Sequence, residues 1–253
     1  MICNSGGVIF YNPLNNIDGV ISIVYNNTGD QVVIRGENKF MPAKIFEELS
    51  EEKRRRIIAA CITEFSEYGY TCSSTNRMIR NAGISKGSLF QYFRNKEELY
   101  FYVLDCVIQE LTEYLEPGSK ALPEELFDRI IKYAELEFSW YIRNPEKGRL
   151  IIDASAGKDT AVCQKVEERY RLKGQDIYDS LLEDIDVSMF RGDKKKTADI
   201  LKWFLKGFNE DFNTRISPQE DMDFSSLQHD YVKSLSDYME LLKSGILIGE
   251  KGR

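Results

Sequence analysis

The chain has 253 residues, of which 42% are hydrophobic, and its formal charge at pH 7 is −7. This length and apolar content are enough for one large or two small domains with a buried core. The negative net charge excludes a generally basic surface, so a site for a polyanion must be a local basic patch. No apolar run approaches the roughly eighteen residues of a membrane span, and we expect no membrane partner.

Cysteine and histidine usage argues against a metal site or a disulfide framework. The five cysteines stand at irregular spacings without a CxxC pair, and the chain has a single histidine. Neither a zinc site nor a set of disulfides follows from this pattern. We therefore expect small buried cysteines in a reducing cytoplasm, and no cofactor.

The first 42 residues differ in composition from the rest of the chain. They are rich in glycine and asparagine, with short alternating pieces such as Val20–Val24, a pattern typical of short strands. We interpret residues 1–42 as an irregular leader. Arg35-Gly36-Glu37 can be encoded by a purine run that resembles a bacterial ribosome-binding site, so we interpret Met41 as the natural start. The alternative is an N-terminal arm.

From Met41 onward the pattern predicts helices. Ser50 can cap the first one, whose first turn carries Glu51 and Glu52 near the positive end of the helix dipole. An apolar stripe with helical spacing then runs to a predicted end near Tyr68-Gly69. The stripe consists of Ile57, Ile58, Cys61, Ile62 and Phe65.

Two short helices are predicted next. The second helix is capped by Ser73 or Ser74 and ends at Gly83, which has the freedom that a C-cap requires. Ser85 can cap a third helix that runs to Phe93. Two short helices joined by a glycine turn, after a longer one, form a helix-turn-helix.

A fourth helix begins at Asn95, which forms a capping box with Glu98. No acidic residue occurs between Glu67 and Glu97. Five basic residues occupy that interval: Arg77, Arg80, Lys86, Arg94 and Lys96. The imbalance favours a surface that faces an anion, with a solvated helix face as the alternative.

The third helix places polar and aromatic side chains where they could contact DNA. Free N-terminal amides with nearby hydroxyl and amine groups are suited to phosphate. Gly87 permits close approach, and Lys86 and Gln91 can hydrogen-bond base edges in the major groove. Phe90 is expected to pack inside or to lie against sugar and phosphate. The candidate DNA-binding residues are Ser74, Ser85, Lys86, Gly87, Ser88, Phe90, Gln91, Tyr92 and Lys96.

The rest of the chain reads as further helices. The fourth helix is expected to stop at Pro117-Gly118, and the next to run from Pro123 to Asn144-Pro145. Shorter helices are predicted around 151–156 and 160–182, and two long ones over 197–213 and 227–242. Aromatic residues could line a ligand cavity here, although aromatics at helical spacing are usually core. These candidates are Trp140, Tyr141, Tyr170, Tyr178 and Trp203.

Gly207 lies inside the first of the two late helices, where it costs roughly 1 kcal/mol against alanine. Close approach of another helix would compensate, and the two late helices could form half of an intersubunit four-helix bundle. Packing within one subunit is the alternative. The candidate interface residues are Leu201, Phe204, Phe208, Tyr231, Leu235, Tyr238, Met239 and Leu242.

The segment from Ser74 to Leu99, STNRMIRNAGISKGSLFQYFRNKEEL, resembles the helix-turn-helix signature of the TetR (tetracycline repressor) family. With the first helix, the resemblance covers roughly residues 44–102. The family usually has Tyr at the position of Phe90 and His or a similar polar residue at that of Gln91. The resemblance implies an all-α bacterial protein with a three-helix DNA-binding domain over 43–95. It further implies a helical ligand-binding and dimerisation domain over 96–253, with the last helix pair at the dimer interface.

The leading hypothesis is a homodimeric repressor, not an enzyme, that binds double-stranded DNA. Two recognition helices would enter successive major grooves of a palindromic operator, and an unknown small-molecule effector would release them. The alternative from another class is a helical enzyme or small-molecule carrier. Activation in place of repression would use the same DNA contacts.

Overall fold

The computed structural model describes residues 21–25, 31–35, 42–119, 121–156, 193–215 and 223–246, together with 162, 164–166, 168–170 and 181. Within the predicted irregular leader it contains a β-hairpin. Strands β1 (Ile21–Tyr25) and β2 (Gln31–Arg35) pair antiparallel, with Ile23 opposite Val33. Apart from this hairpin, the secondary structure is helical, which confirms the all-α class.

Four helices precede residue 95: α1 (Lys44–Glu47), α2 (Glu51–Cys72), α3 (Thr75–Ala82) and α4 (Lys86–Tyr92). Ser50 caps α2 by accepting a hydrogen bond from the Lys53 N–H at 3.4 Å. Helical geometry is interrupted at Gly69, whose φ of 64° lies in the left-handed region. Glycine populates that region without a steric penalty, so the helix breaks where its end was predicted.

Three boundaries of the helix-turn-helix lie where the sequence predicted them, at Gly83, Ser85 and Asn95. Gly83 ends α3 in the left-handed conformation, with φ 62° and ψ 40°. The Ser85 Oγ accepts from the Ser88 N–H at 3.1 Å and opens α4. The next helix begins after Asn95, whose Oδ1 accepts from the Glu98 N–H at 2.8 Å. Each boundary therefore follows from the chemistry of one or two residues.

Helix α1 was not predicted from the sequence. It is only four residues long, too short to show a helical period, and Phe46 is its buried residue. The ring of Phe46 packs against those of Tyr92, Phe93 and Tyr102, with centroids 5.0–5.6 Å apart. Packing with distant residues, which no local pattern reveals, thus fixes this helix.

After residue 95 the described residues include five helices with defined bounds: α5 (Lys96–Ser119), α6 (Leu126–Arg143), α7 (Pro145–Ala156), α8 (Lys194–Arg215) and α9 (Phe224–Ile246). Helix α5 continues past the predicted stop at Pro117-Gly118 to Ser119. Pro117 lies in its last turn, where the missing N–H removes a single helical hydrogen bond. Most of the helix predicted over 160–182 lies outside the described residues.

Two groups of buried side chains hold the helices together. The larger one runs from Phe46 through α2, α3, α4 and α5 to α7. The smaller one joins α6 to α8 and α9 through Leu126, Ile130, Leu201 and Leu235. Helix α5 reaches from the first turn after the helix-turn-helix to contacts with α6 and α7. Helix α2 also packs against α7, and the Thr63 hydroxyl donates to Glu146 at 3.0 Å, so both α2 and α5 join the helix-turn-helix to the later helices.

Among the described helices, none has the length and apolar character needed to cross a membrane.

Candidate nucleic-acid interface

Helix α4 has one buried face and one exposed face. Leu89 and Tyr92 are buried, whereas Lys86, Gly87 and Phe90 are exposed. A helix of seven residues is not stable alone in water. Its position and its exposed face are therefore set by what the buried face contacts.

Aromatic packing holds α4 between α1 and α5. The rings of Phe46, Tyr92, Phe93 and Tyr102 form this aromatic seat. Tyr92 and Phe93 lie against Phe46 of α1, and Phe93 also contacts Tyr102 of α5 with ring centroids 5.4 Å apart. The Ala43 N–H donates to the Tyr92 carbonyl at 2.9 Å and ties the chain before α1 to the end of α4. Tyr92 is only 5% exposed, so most of its surface packs within the protein, and the phosphate contact expected of its hydroxyl stays a prediction.

Helix α3 is fixed to α2 by a buried carboxylate. Glu64 is 2% exposed and accepts from the Ser74 N–H at 2.6 Å and from the Arg77 Nε–H at 2.9 Å. Arg77 also donates to the Cys72 carbonyl at 3.1 Å and lies over the Tyr68 ring. Hydrogen bonding to Glu64 raises the pKa of the guanidinium. Glu64 thus holds the first turn of α3 in place.

Sequence reasoning missed Glu64, and the pairing corrects the charge map. Arg77 was counted among five cations facing an anion, but it is neutralised by Glu64. The sequence did contain a sign that Glu64 is buried, because it lies on the apolar stripe of α2, three residues after Cys61 and next to Phe65. A charged residue at such a position is almost never buried without a partner.

Lys96 is also used inside the protein. Its ammonium donates to the carbonyls of Tyr70, Thr71 and Ser73 at 2.6, 3.3 and 3.1 Å. These three bonds use all the donors of an ammonium group, and they fasten the start of α5 to the end of α2. Partial burial lowers the pKa of Lys96. A phosphate contact for Lys96 would require it to exchange one of these carbonyls.

Three of the five cations remain on the surface. Arg80, Lys86 and Arg94 are exposed, and within the described part of the chain no carboxylate lies within 4.0 Å of their charged nitrogens. The basic patch is therefore smaller than the sequence suggested. It still borders the exposed face of α4.

The remaining predicted DNA-binding residues lie on or beside this face. Phe90 is 43% exposed, so of its two expected positions the structure gives the outward one. Gln91 and Ser85 are exposed, while Ser74 and Ser88 are half-buried. The Ser74 hydroxyl does not cap α3 as predicted. The contact at the start of this helix is made by Glu64, which accepts from the Ser74 N–H.

The aromatic residues proposed as ligand contacts lie in different environments. Trp140 and Tyr141 are buried neighbours on α6, and Tyr170 packs against the same group of buried side chains and donates from its hydroxyl to Asp105 at 2.8 Å. Trp203 is 71% exposed on α8 and stands apart from that group. Tyr178 lies outside the described residues. Among the described side chains, no three His, Cys, Asp or Glu residues gather to hold a metal ion.

The predicted dimer-interface residues fall into two groups. Leu201, Leu235 and Met239 are buried against α6 within the chain, which removes them from a contact with another copy. Phe204, Phe208, Tyr231 and Leu242 are half-buried, and Tyr238 is exposed. The exposed apolar residues that the sequence analysis missed are Ile200, Trp203 and Leu241. Helical spacing showed an apolar stripe, but it could not show which edge of the stripe α6 covers.

The helix-turn-helix lies within a match to a known protein family. Residues 57–103 match the model for bacterial regulatory proteins of the tetR family. This match identifies residues 57–103 as a TetR-type helix-turn-helix domain. The match spans α3, α4 and most of α2, with the first eight residues of α5. It confirms the resemblance found in the sequence.

Curated relatives agree with this assignment. The chain is 38% identical over 72 residues to the HTH-type transcriptional regulator HbdR of Aromatoleum sp. (strain CIB). This stretch covers 27% of this chain and 31% of HbdR. It is 23% identical over 195 residues to the HTH-type transcriptional regulator AcrR of Shigella flexneri, covering 74% of this chain and 88% of AcrR. The chain spans only 31–39% of the length of the first three curated relatives it matches.

Solved structures share the fold over most of the chain. A transcriptional regulator from Cytophaga hutchinsonii superposes with a TM-score of 0.57 at 21% identity, over 78% of this chain and 100% of that one. AibR, solved in complex with isovaleryl coenzyme A and operator DNA, superposes with a TM-score of 0.51 at 14% identity, over 72% and 97% of the two chains. Likeness at this identity establishes the common fold.

The role of Glu64 gives the first prediction. Replacing it with alanine leaves the Ser74 N–H and Arg77 without their acceptor, and we expect a loss of about 1–3 kcal/mol in the free energy of unfolding. Glu64→Gln keeps an oxygen for the Ser74 N–H and should lose less. The measurement is urea denaturation followed by circular dichroism.

Glu67→Ala is the matched control, because Glu67 is an exposed glutamate one turn later on the same helix. An exposed substitution of this kind should change stability by no more than about 0.5 kcal/mol. A Glu64→Ala protein as stable as Glu67→Ala would contradict the role given to Glu64.

Proposed function

We propose that the protein is a cytoplasmic transcriptional regulator that binds double-stranded DNA as a homodimer and represses until a small molecule releases it. The main support is the exposed face of α4. Lys86, Gly87, Phe90 and Gln91 point away from the aromatic seat, and Arg80 and Arg94 lie nearby without a carboxylate partner among the described residues. A short, rigidly seated helix with a cationic border is suited to the major groove.

The proposed DNA contacts of this surface are of two kinds: contacts to phosphates, which position the helix, and contacts to base edges, which recognise the sequence. The hydroxyls of Ser74, Ser85 and Ser88, together with Arg80 and Arg94, would contact phosphates and supply most of the affinity. Lys86 and Gln91 would contact base edges, where lysine favours guanine and glutamine favours adenine. Tyr92 and Lys96 would act through the structure by holding α4 and the start of α5 in position.

Dimerisation is proposed through an apolar surface on α8 and α9. Ile200, Trp203 and Gly207 follow one another on α8 at i, i+3 and i+7, and Tyr238, Leu241 and Gly245 repeat that spacing on α9. The four large residues are 41–71% exposed. Within the described residues no atom lies within 4 Å of a Cβ placed on either glycine.

Neighbouring large apolar residues that are all exposed indicate a contact with another protein. The Phe204 ring lies 6.0 Å from that of Tyr238 and joins the two rows. A second copy related by a two-fold axis would cover both rows and form a four-helix bundle. Such a partner would also supply the close approach that Gly207 lacks within its own chain.

Effector control is proposed to act along α5. Glu97, in the first turn of α5, accepts a hydrogen bond from Lys165 at 2.7 Å. Asp105, further along the same helix, accepts from Arg169 and Tyr170. These contacts tie the start of α5 to a segment of the C-terminal domain. A ligand that shifts this segment would change the separation of the two α4 helices, and the shifted population would not fit successive grooves. AibR, which has the same fold and was solved with an acyl coenzyme A and operator DNA, supports an organic effector.

DNA binding is tested first with a duplex that the full-length protein selects from a random-sequence pool. By fluorescence anisotropy we expect binding at least about 10³-fold tighter to the selected duplex than to a scrambled one, with an affinity that falls steeply as salt rises. Gln91→Ala should relax the preference at particular positions, because it removes a contact to a base edge. Arg94→Ala should weaken binding to all sequences and reduce the salt slope by about one.

Equal affinity for the selected and scrambled duplexes would refute the proposal that the protein is a sequence-specific regulator. A Gln91→Ala protein with an unchanged sequence preference would refute only the base-reading role of Gln91.

The dimer is tested by sedimentation. Trp203→Glu and Leu241→Glu each place a carboxylate in the proposed interface, and we expect both proteins to sediment as monomers of 29.3 kDa under conditions where the native protein is a dimer. Ile142→Glu is the matched control, because Ile142 is also an exposed apolar residue but lies on α6. A native protein that sediments as a monomer, or a Trp203→Glu protein that stays dimeric, would contradict the interface.

A further inference from the structure

Phe90 and Gly87 occupy the middle of the exposed face of α4. At 100° per residue, the exposed residues of this helix from Lys86 to Gln91 span about 140° of its circumference. Lys86 and Gln91 form the two edges of that arc. Phe90 and Gly87 each lie about 30° from its centre. The part of the helix that would enter deepest into a DNA groove therefore carries the ring of Phe90, and beside it Gly87 has no side chain.

The packing of this chain does not require glycine at position 87. Its backbone lies outside the positive-φ region, and a Cβ placed there would meet only the Ser85 Oγ, at 3.9 Å. Glycine within a helix costs up to roughly 1 kcal/mol compared with alanine. A residue that the fold does not need and that weakens the helix indicates a requirement for clearance from something outside the chain.

The core of this chain likewise does not use the whole ring of Phe90. It is 43% exposed, whereas Leu89 and Phe93 beside it are fully buried. A phenyl ring has no hydrogen-bond donor or acceptor, so it can read a base edge only through apolar contact. In the major groove the apolar group on a base edge is the 5-methyl group of thymine.

We infer that Phe90 contacts the 5-methyl group of a thymine in each operator half-site, with the clearance at Gly87 letting the ring reach the base. This inference rests on the proposed DNA binding and adds the identity of one base pair. Lys86 and Gln91 lie on either side of Phe90 along the helix surface, so the hydrogen-bonded bases flank the thymine.

The test removes single methyl groups from the DNA. Each thymine of the selected duplex is replaced in turn by deoxyuridine, which keeps the base pair and loses only the 5-methyl group. We expect one position in each half-site where the native protein binds about fourfold more weakly, which is the effect of one methyl-sized apolar group. Replacing that T·A pair by 5-methylcytosine·G should retain more affinity than replacing it by cytosine·G.

Variants of the protein complete the test. Phe90→Ala should bind the selected duplex more weakly and lose its sensitivity to deoxyuridine at that position, whereas Phe90→Leu, which keeps an apolar side chain, should retain part of it. Gly87→Ala should unfold at the same or a higher urea concentration than the native protein and yet bind the duplex more weakly. Stability and affinity would then move in opposite directions, which a simple packing defect would not produce.

Three results would overturn the inference. Affinity that is unaffected by deoxyuridine at every position would exclude a methyl contact. Equal sensitivity in the native and Phe90→Ala proteins would assign the methyl effect to another residue. A uniform loss in Phe90→Ala on all duplexes would place the ring against sugar and phosphate. Failure to enrich any sequence from the pool would instead refute the proposed function itself.

Discussion

The packing of α4 against α1 and α5 is the interaction on which the rest of the proposed DNA-binding surface depends. A helix of seven residues cannot hold its own shape in water, so the packing of Tyr92 and Phe93 against Phe46 and Tyr102 determines both its position and its orientation. Burying Leu89 and Tyr92 turns Lys86, Gly87, Phe90 and Gln91 outward. The chemistry of the exposed face is thus a consequence of aromatic packing on the opposite side.

A few polar contacts fix the helices next to α4. Glu64 holds the first turn of α3 through the Ser74 N–H and Arg77, and Lys96 holds the end of α2 through three backbone carbonyls. Both contacts use the charged side chains of Glu64 and Lys96, which the sequence alone would place on the surface or against a ligand. These contacts hold the helix-turn-helix together within the chain, so less ordering would remain to be done on the proposed binding to DNA.

The sequence predicted what depends on a few adjacent residues. Gly83, Ser85 and Asn95 cap or end their helices as expected because capping is a contact within one turn. The dense signature around α4 also predicted the TetR-type domain that the family model matches over residues 57–103. Burial of Tyr92 and the pairing of Glu64 with Arg77, thirteen residues apart, could not be predicted, because they depend on how helices meet. For the same reason the late helices showed an apolar stripe but not that Leu201 and Leu235 face α6 while Trp203 faces outward.

Lysine acetylation with and without DNA tests most directly that the exposed face of α4 is the DNA-binding surface. Acetylation of the full-length protein is measured by mass spectrometry at low salt, with and without saturating duplex. Lys86 should become protected by DNA, while Lys132, exposed on α6, should react equally in both samples. Lys86 that reacts equally with and without bound DNA would contradict the account.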